Sequence, residues 1–178
     1  MRHRCTDRDD VQHPVHREVR REPRAPASKR EKRVAKACMW GMIGEGKSPL
    51  EKLELAKAAG LEGVELDSPT DEYTQDAMLD ALARTGMRVA DVVDSVHWSK
   101  PLSDPDPAVR DAGRAGLETA LKDARRYGAD SVLLVPAVVS NKVAYDEAWE
   151  RSTAEIRKVL PLAAELNVHV AIENVWND

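Results

Sequence analysis

The chain has 178 residues and a net charge of −4, enough for one domain of ordinary apolar content. It contains no Phe, so its core is built from Leu, Val, Ile, Ala and Met, with the four Trp residues adding bulk. No run approaches the roughly 18 apolar residues of a membrane-spanning helix. The two cysteines, Cys5 and Cys38, have no CxxC spacing, which argues against a disulfide framework or a zinc finger.

Charge is unevenly spread. Residues 1–36 carry 12 of the 27 Lys and Arg and 6 of the 31 acidic residues, so this arm is +6 and residues 37–178 are −10. Basic arms can bind nucleic acid. This one is mixed in sign, has Pro and His, and lacks aromatics, which favours a solvated, disordered leader over a nucleic-acid contact. The Arg20-Arg21 pair is followed by Glu22-Pro23-Arg24 where an export signal would need an apolar run, so a cytoplasmic location is the default expectation, an atypical export leader the alternative.

From Cys38 one pattern recurs: a helix ends at Gly or Asn and a short β-rich run follows. The junctions are at Gly60, Gly86, Gly128 and Asn167, residues suited to the left-handed position that closes a helix. Strand 1 is predicted at about 38–43. Ser48-Pro49-Leu50-Glu51 reads as a capping box with Pro at the first helical position, opening a helix to about Ala59. Strand 2 follows at 63–67. A second helix is predicted over 72–85, with Met78, Leu79 and Leu82 inward, and strand 3 over 88–94. Asp106-Pro107 opens a long third helix, which Gly113 and Gly116 either weaken or allow to pack closely. Strand 4 covers 131–136. The fourth helix covers 145–166, and Pro161 inside it predicts a kink or a break. Strand 5 covers 168–173.

Strands alternating with helices imply right-handed βαβ units and a parallel sheet. Two architectures fit: an open doubly wound sheet, or a (β/α)8 barrel of which about five β/α units are present. The Gly41–Gly46 turn lacks the GxGxxG spacing of a dinucleotide site, which leaves little support for the first.

In either architecture chemistry collects at the carboxyl ends of strands. Those ends read Trp40-Gly41-Met42, Glu65-Leu66-Asp67-Ser68, Asp94-Ser95-Val96-His97-Trp98, Pro136, and Glu173-Asn174-Val175-Trp176-Asn177. Carboxylates, a histidine and tryptophans converge on one rim. Glu65 could instead pair with a Lys between sheet and helices, His97 could be a satisfied rim histidine, and Trp40, Trp98 and Trp176 could be packing residues. Glu173 ends an apolar run, where a carboxylate is costly unless paired or bound to a cation. His169, at the other end of that strand, reads as structural.

The segments VVDSVHWSKPLSDPDP (92–107), SVLLVPAVV (131–139), ERSTAEIRKVLPLAAEL (150–166) and AIENVWN (171–177) resemble the xylose isomerase-like TIM-barrel family of sugar and sugar phosphate isomerases and epimerases, over roughly 37–178. The resemblance implies a partial TIM barrel in which a divalent cation, Mn²⁺ or Mg²⁺ first, Zn²⁺ or Co²⁺ otherwise, sits at the barrel mouth. Glu173 matches the first metal ligand and one of two carboxylates that move a proton next to a carbonyl through an enediolate. Glu65, His97, Trp40, Trp176 and Asn177 match positions around a small sugar or sugar phosphate. The family's other ligands, an Asp, a His and a second Glu on strands 6 to 8, would lie past Asp178, so this chain alone could be inactive. Two alternatives remain: a non-catalytic binding or scaffold remnant of the same fold, and an endonuclease IV-like enzyme, which needs more strand-end histidines than His97 and sits poorly with an acidic domain. Five strands also leave two sheet edges, at strands 1 and 5, open to pairing with another chain or to homo-oligomer formation.

Overall fold

The computed structural model describes residues 35–175. The arm expected over 1–36 falls, through residue 34, outside the described residues, as do Trp176 and Asn177.

Local chemistry sets each helix. Ser48 accepts the Glu51 amide at 3.3 Å and Pro49 starts α1 (Pro49–Ala58). The Glu51 carboxylate takes the Lys47 amide at 2.7 Å, one residue short of the reciprocal bond of a capping box. Thr74 caps α2 (Gln75–Thr85), and Asp106 caps α3 (Pro107–Tyr127) through the Ala108 amide. α2 therefore begins three residues later than expected, because Thr74 rather than the acidic pair before it supplies the cap. α4 (Tyr145–Leu166) is one continuous helix despite Pro161. Pro161 lies on the exposed face, where water can satisfy the carbonyl that its missing N–H would have bonded. All four closing residues have positive φ: Gly60 84°, Gly86 69°, Gly128 78° and Asn167 53°.

The strands β1 (Ala37–Met39), β2 (Gly63–Ser68), β3 (Arg88–Asp94), β4 (Ser131–Leu134) and β5 (His169–Ile172) form one parallel sheet in the order β1-β2-β3-β4-β5. That order decides between the two architectures. A doubly wound sheet reverses direction at a switch point, whereas a barrel adds each strand on the same side. Five consecutive strands without reversal are an arc of a barrel. β1 is shorter than expected because Trp40–Met42 turn into a 3₁₀ segment.

Alternation along the strands divides the sheet into two faces. Val64, Leu66, Val92, Val132 and Leu134 join the helices in one core with Leu53, Met78, Leu117, Leu121 and Val159. Glu65, Asp67, Asp91, Leu133 and Ala171 alternate onto the opposite, inner face of the arc. A bulge sits in β3: Val64 pairs with Val89 but Glu65 with Asp91, so Ala90 is the extra residue. The bulge shifts the parity of the rest of β3. It brings Asp91 beside Glu65 and turns Asp94 toward the helices.

The helix layer is tied together by polar contacts. Lys57 donates to the Thr85 carbonyl at 2.6 Å, linking α1 to α2. Glu155 on α4 is buried and takes Arg110 and Arg114 of α3 and Lys158 of its own helix, at 2.8–3.4 Å. Among the described residues no helix is long and apolar enough to cross a membrane.

Candidate functional site

β5 continues for one backbone bond past its last residue: the Glu173 amide donates to the Leu134 carbonyl at 3.0 Å. That bond fixes Glu173 at the carboxyl end of the sheet with its side chain exposed. β2 places Glu65 and Asp67 on the inner face, both half-buried. β3 runs into a turn that carries His97, which is only 5 % exposed.

These groups sense one another. Burial, reinforced by the charges of Asp91, Glu173 and Asp67, raises the pKa of Glu65. Burial, and then the Glu72 charge, raises that of Asp67. Burial lowers the pKa of His97, and the Glu173 charge opposes the shift. Glu65, His97 and Glu173, named from three separate strand ends, thus share one electrostatic neighbourhood.

The His97 ring has a defined hydrogen-bond role. The Val135 amide, just past β4, donates to Nδ1 at 3.4 Å. Nδ1 therefore carries the lone pair and the neutral ring holds its proton on Nε2, a donor suited to a sugar hydroxyl or carbonyl oxygen. Trp98 packs edge-on against the His97 ring at 5.3 Å and is itself exposed.

Trp40 lies differently from an open sugar platform. It is 2 % exposed, its indole N–H donates to Glu72 at 2.8 Å, Tyr73 meets it edge-on at 5.2 Å, and the Lys52 ammonium sits 4.6 Å above its ring. The side chain is spent on packing the β1–α1 connection. Trp176 and Asn177 fall outside the described residues. His169, expected to be structural, lies at the start of β5 with Nδ1 3.0 Å from the Asp130 carbonyl.

Three features escaped the sequence reading. Asp91 joins Glu65 on the inner face only because of the β3 bulge, and the motif carries no mark of it. Asp94 reads as a rim residue but faces the helices. Beside Glu173 opens a cleft of about 480 Å³, lined by Tyr145, Trp149, Ser152, Ile156 and Ile172. Tyr145 and Trp149, 66 % and 63 % exposed, stack at 6.5 Å. Their i, i+4 spacing at the start of α4 is the signal that could have found them.

The donors are hard carboxylate oxygens, the type that Mn²⁺ and Mg²⁺ prefer. Among the described residues, however, no three His, Cys, Asp or Glu side chains are placed to hold one ion. Glu173 and its neighbours thus fit such an ion in kind and not in number.

The model of the xylose isomerase-like TIM-barrel family matches residues 53–178. The chain belongs to that family. L-ribulose-5-phosphate 3-epimerase UlaE of Escherichia coli O157:H7 is 29 % identical over 138 residues, covering 72 % of this chain and 49 % of that protein. The enzyme of the same name from Salmonella paratyphi B is 30 % identical over the same span and coverage. The chain spans about half the length of these curated relatives. Among solved structures, the apo form of the 3-keto-D-glucoside 4-epimerase YcjR from E. coli superimposes with a TM-score of 0.69 at 18 % identity, over 80 % of this chain and 57 % of that one. An L-ribulose 3-epimerase gives 0.65 at 18 % identity, over 80 % and 50 %. At such identities these structures speak for the fold, and they agree with the barrel arc that the strand order indicates.

Proposed function

We propose that the chain carries part of the active site of a sugar or sugar phosphate epimerase or isomerase that moves a proton next to a carbonyl through an enediolate. The observation that carries this reading is the grouping of Glu173, Glu65 and His97 at one end of the arc, in a family member whose curated relatives include L-ribulose-5-phosphate 3-epimerases.

Each residue has a defined task. The exposed Glu173 carboxylate would take the proton from the substrate carbon and also bind the cation. Glu65, whose acidity is weakened by burial and by its neighbours, would hydrogen-bond a sugar hydroxyl. His97 would donate from Nε2 to a substrate oxygen without carrying charge. A bound Mn²⁺ or Mg²⁺, or Zn²⁺ or Co²⁺, would polarise the carbonyl and stabilise negative charge on oxygen. The rest of its shell, about six oxygens for a hard cation, would come from water, substrate and other residues. Asn177 and Trp176 would contact the substrate, as the resemblance carried by AIENVWN implies.

The partner in this reading is a small sugar, not nucleic acid. The outer edges of β1 and β5, unpaired among the described residues, are where a further strand or a second copy would pair.

The test is exchange of the substrate's carbon-bound proton with solvent deuterium. Ketoses and their 5-phosphates are incubated with the full chain and Mn²⁺ in D₂O and followed by NMR. Wash-in beside the carbonyl that disappears in Glu173→Gln supports the reading. Absence of wash-in with the unaltered chain leaves the fold with a binding or scaffold role.

A further inference from the structure

His97 is held by a turn whose own support lies on the far side of the sheet. The Asp94 carbonyl accepts the His97 amide at 3.3 Å, and Asp94 Oδ1 accepts the Val96 amide at 3.3 Å. Ser95 ties the turn to β2: its amide bonds the Ser68 carbonyl at 2.9 Å and its hydroxyl the Pro69 carbonyl at 2.5 Å. The Val96 carbonyl accepts the Ser99 and Lys100 amides at 3.0 and 2.7 Å.

The outer side of this turn rests directly on α3. A Cβ at Gly116 would lie 2.2 Å from Val96 Cγ2 and 3.4 Å from Asp94 Oδ1, and one at Gly113 would lie 2.1 Å from the Lys100 carbonyl oxygen. Gly113 and Gly116 are therefore required by close approach, which resolves the two readings that the sequence left open for them.

Asp94 is the anomaly in this arrangement. It is 1 % exposed, it faces the helix layer, and its Oδ2 has no hydrogen-bond partner among the described residues. A buried unpartnered carboxylate oxygen is destabilising, and a leucine of similar reach would suit the surrounding Val92, Val96 and α3 glycines better. Packing thus gives no reason for a carboxylate here. The bond that its Oδ1 accepts from the Val96 amide gives one.

We propose that Asp94 is a positioning residue of the candidate site: by accepting the Val96 amide it fixes the β3–α3 turn, and through that turn it holds His97 Nδ1 against the Val135 amide, in the tautomer with the proton on Nε2. The proposal gives His97 its donor role and in that sense rests on the reading of the site given above. Asp94 itself touches no substrate. The chain of contacts runs from a carboxylate on the helix side of the sheet to an imidazole at its carboxyl end.

The test reads the tautomer, not turnover, so it stands apart from whether the chain binds a cation or acts on a sugar. The full chain is labelled with ¹⁵N, and long-range ¹H–¹⁵N correlation of the imidazoles is recorded near neutral pH. Loss of one ring system in His97→Gln identifies His97 among the five histidines. The unaltered chain is expected to show His97 as a single Nε2–H tautomer. Asp94→Asn keeps an acceptor for the Val96 amide and is expected to keep that pattern. Asp94→Leu fills the space without an acceptor and is expected to bring the two ring-nitrogen shifts together, as mixed tautomers do. Asp94→Ala, with the same expectation, serves if the leucine variant fails to fold. A single Nε2–H tautomer retained in the leucine or alanine variant would overturn the proposal. So would its loss in the asparagine variant.

Discussion

Replacing Asp94 by Asn should change how stability depends on pH, by an amount set by the burial of one carboxylate. Burial pushes the Asp94 pKa up from 3.8 to about 6, partly offset by the Val96 amide. The group is 1 % exposed, so solvent screening takes little from the effect. An acid whose pKa is raised by folding contributes fully below its unfolded value and loses that contribution as pH rises through the folded one. About two pKa units correspond to about 3 kcal/mol. The unaltered chain should therefore lose about 3 kcal/mol from this group between about pH 4 and pH 7, and the variant none of it. Asn retains the acceptor for Val96 but buries an amide N–H₂ without a partner, a constant penalty of about 1–2 kcal/mol. The variant should be about 1–2 kcal/mol less stable at acid pH and about 1–2 kcal/mol more stable near neutrality, with the difference changing most midway between the two pKa values, around pH 5. Urea unfolding followed by circular dichroism across this range measures it, and other carboxylates cancel in the difference between the two proteins. A difference that stays constant with pH would refute the reasoning.

Three further outcomes follow from the same contacts. Gly113→Ala gains about 1 kcal/mol of helix propensity in an open helix, but here it drives a methyl into the Lys100 carbonyl; a net loss of about 2 kcal/mol is expected by urea unfolding. Glu155→Ala leaves Arg110, Arg114 and Lys158 without their shared carboxylate. Their side chains are 20 %, 27 % and 52 % exposed, so the loss should be about 2 kcal/mol, below that of a fully buried pair. Burial would raise the Glu155 pKa, but Lys158, Arg110 and Arg114 together hold it below its usual value, so its contribution is present above the unfolded value and fades as pH falls through the folded one. The Glu155→Ala difference should accordingly shrink in acid unfolding series, the opposite slope from Asp94→Asn.

Much of the fold was legible because it is written in local rules. Gly60, Gly86, Gly128 and Asn167 close their helices in the left-handed region, and Ser48, Pro49, Asp106 and Pro107 open theirs, as those residue types dictate. What the sequence left open was decided by tertiary placement. The choice between open sheet and barrel needed the strand order. Pro161 threatened α4 on propensity, yet its position on the wet face made it harmless. The β3 bulge at Ala90 is invisible in RVADVVD, and it alone moves Asp94 from the rim to the helix side. The placement of Glu65, His97 and Glu173 toward one end of the sheet was legible because strand ends can be read from the sequence. Trp40 was harder, because a tryptophan at a strand end can face either the mouth or the helix layer, and Glu72, Tyr73 and Lys52 draw it inward. Tyr145 and Trp149 went unread because they lie on a helix start and not on a strand.

In the proposed function Glu173 serves a divalent cation at the carboxyl end of the arc. Calorimetric titration of Mn²⁺ into the full chain, with Glu173→Gln in parallel, tests it most directly. Saturable heat is expected with the unaltered chain and its loss in the variant, with both proteins unfolding at the same urea concentration because Glu173 is exposed. Equal Mn²⁺ binding by the two proteins, or none by either, would contradict it.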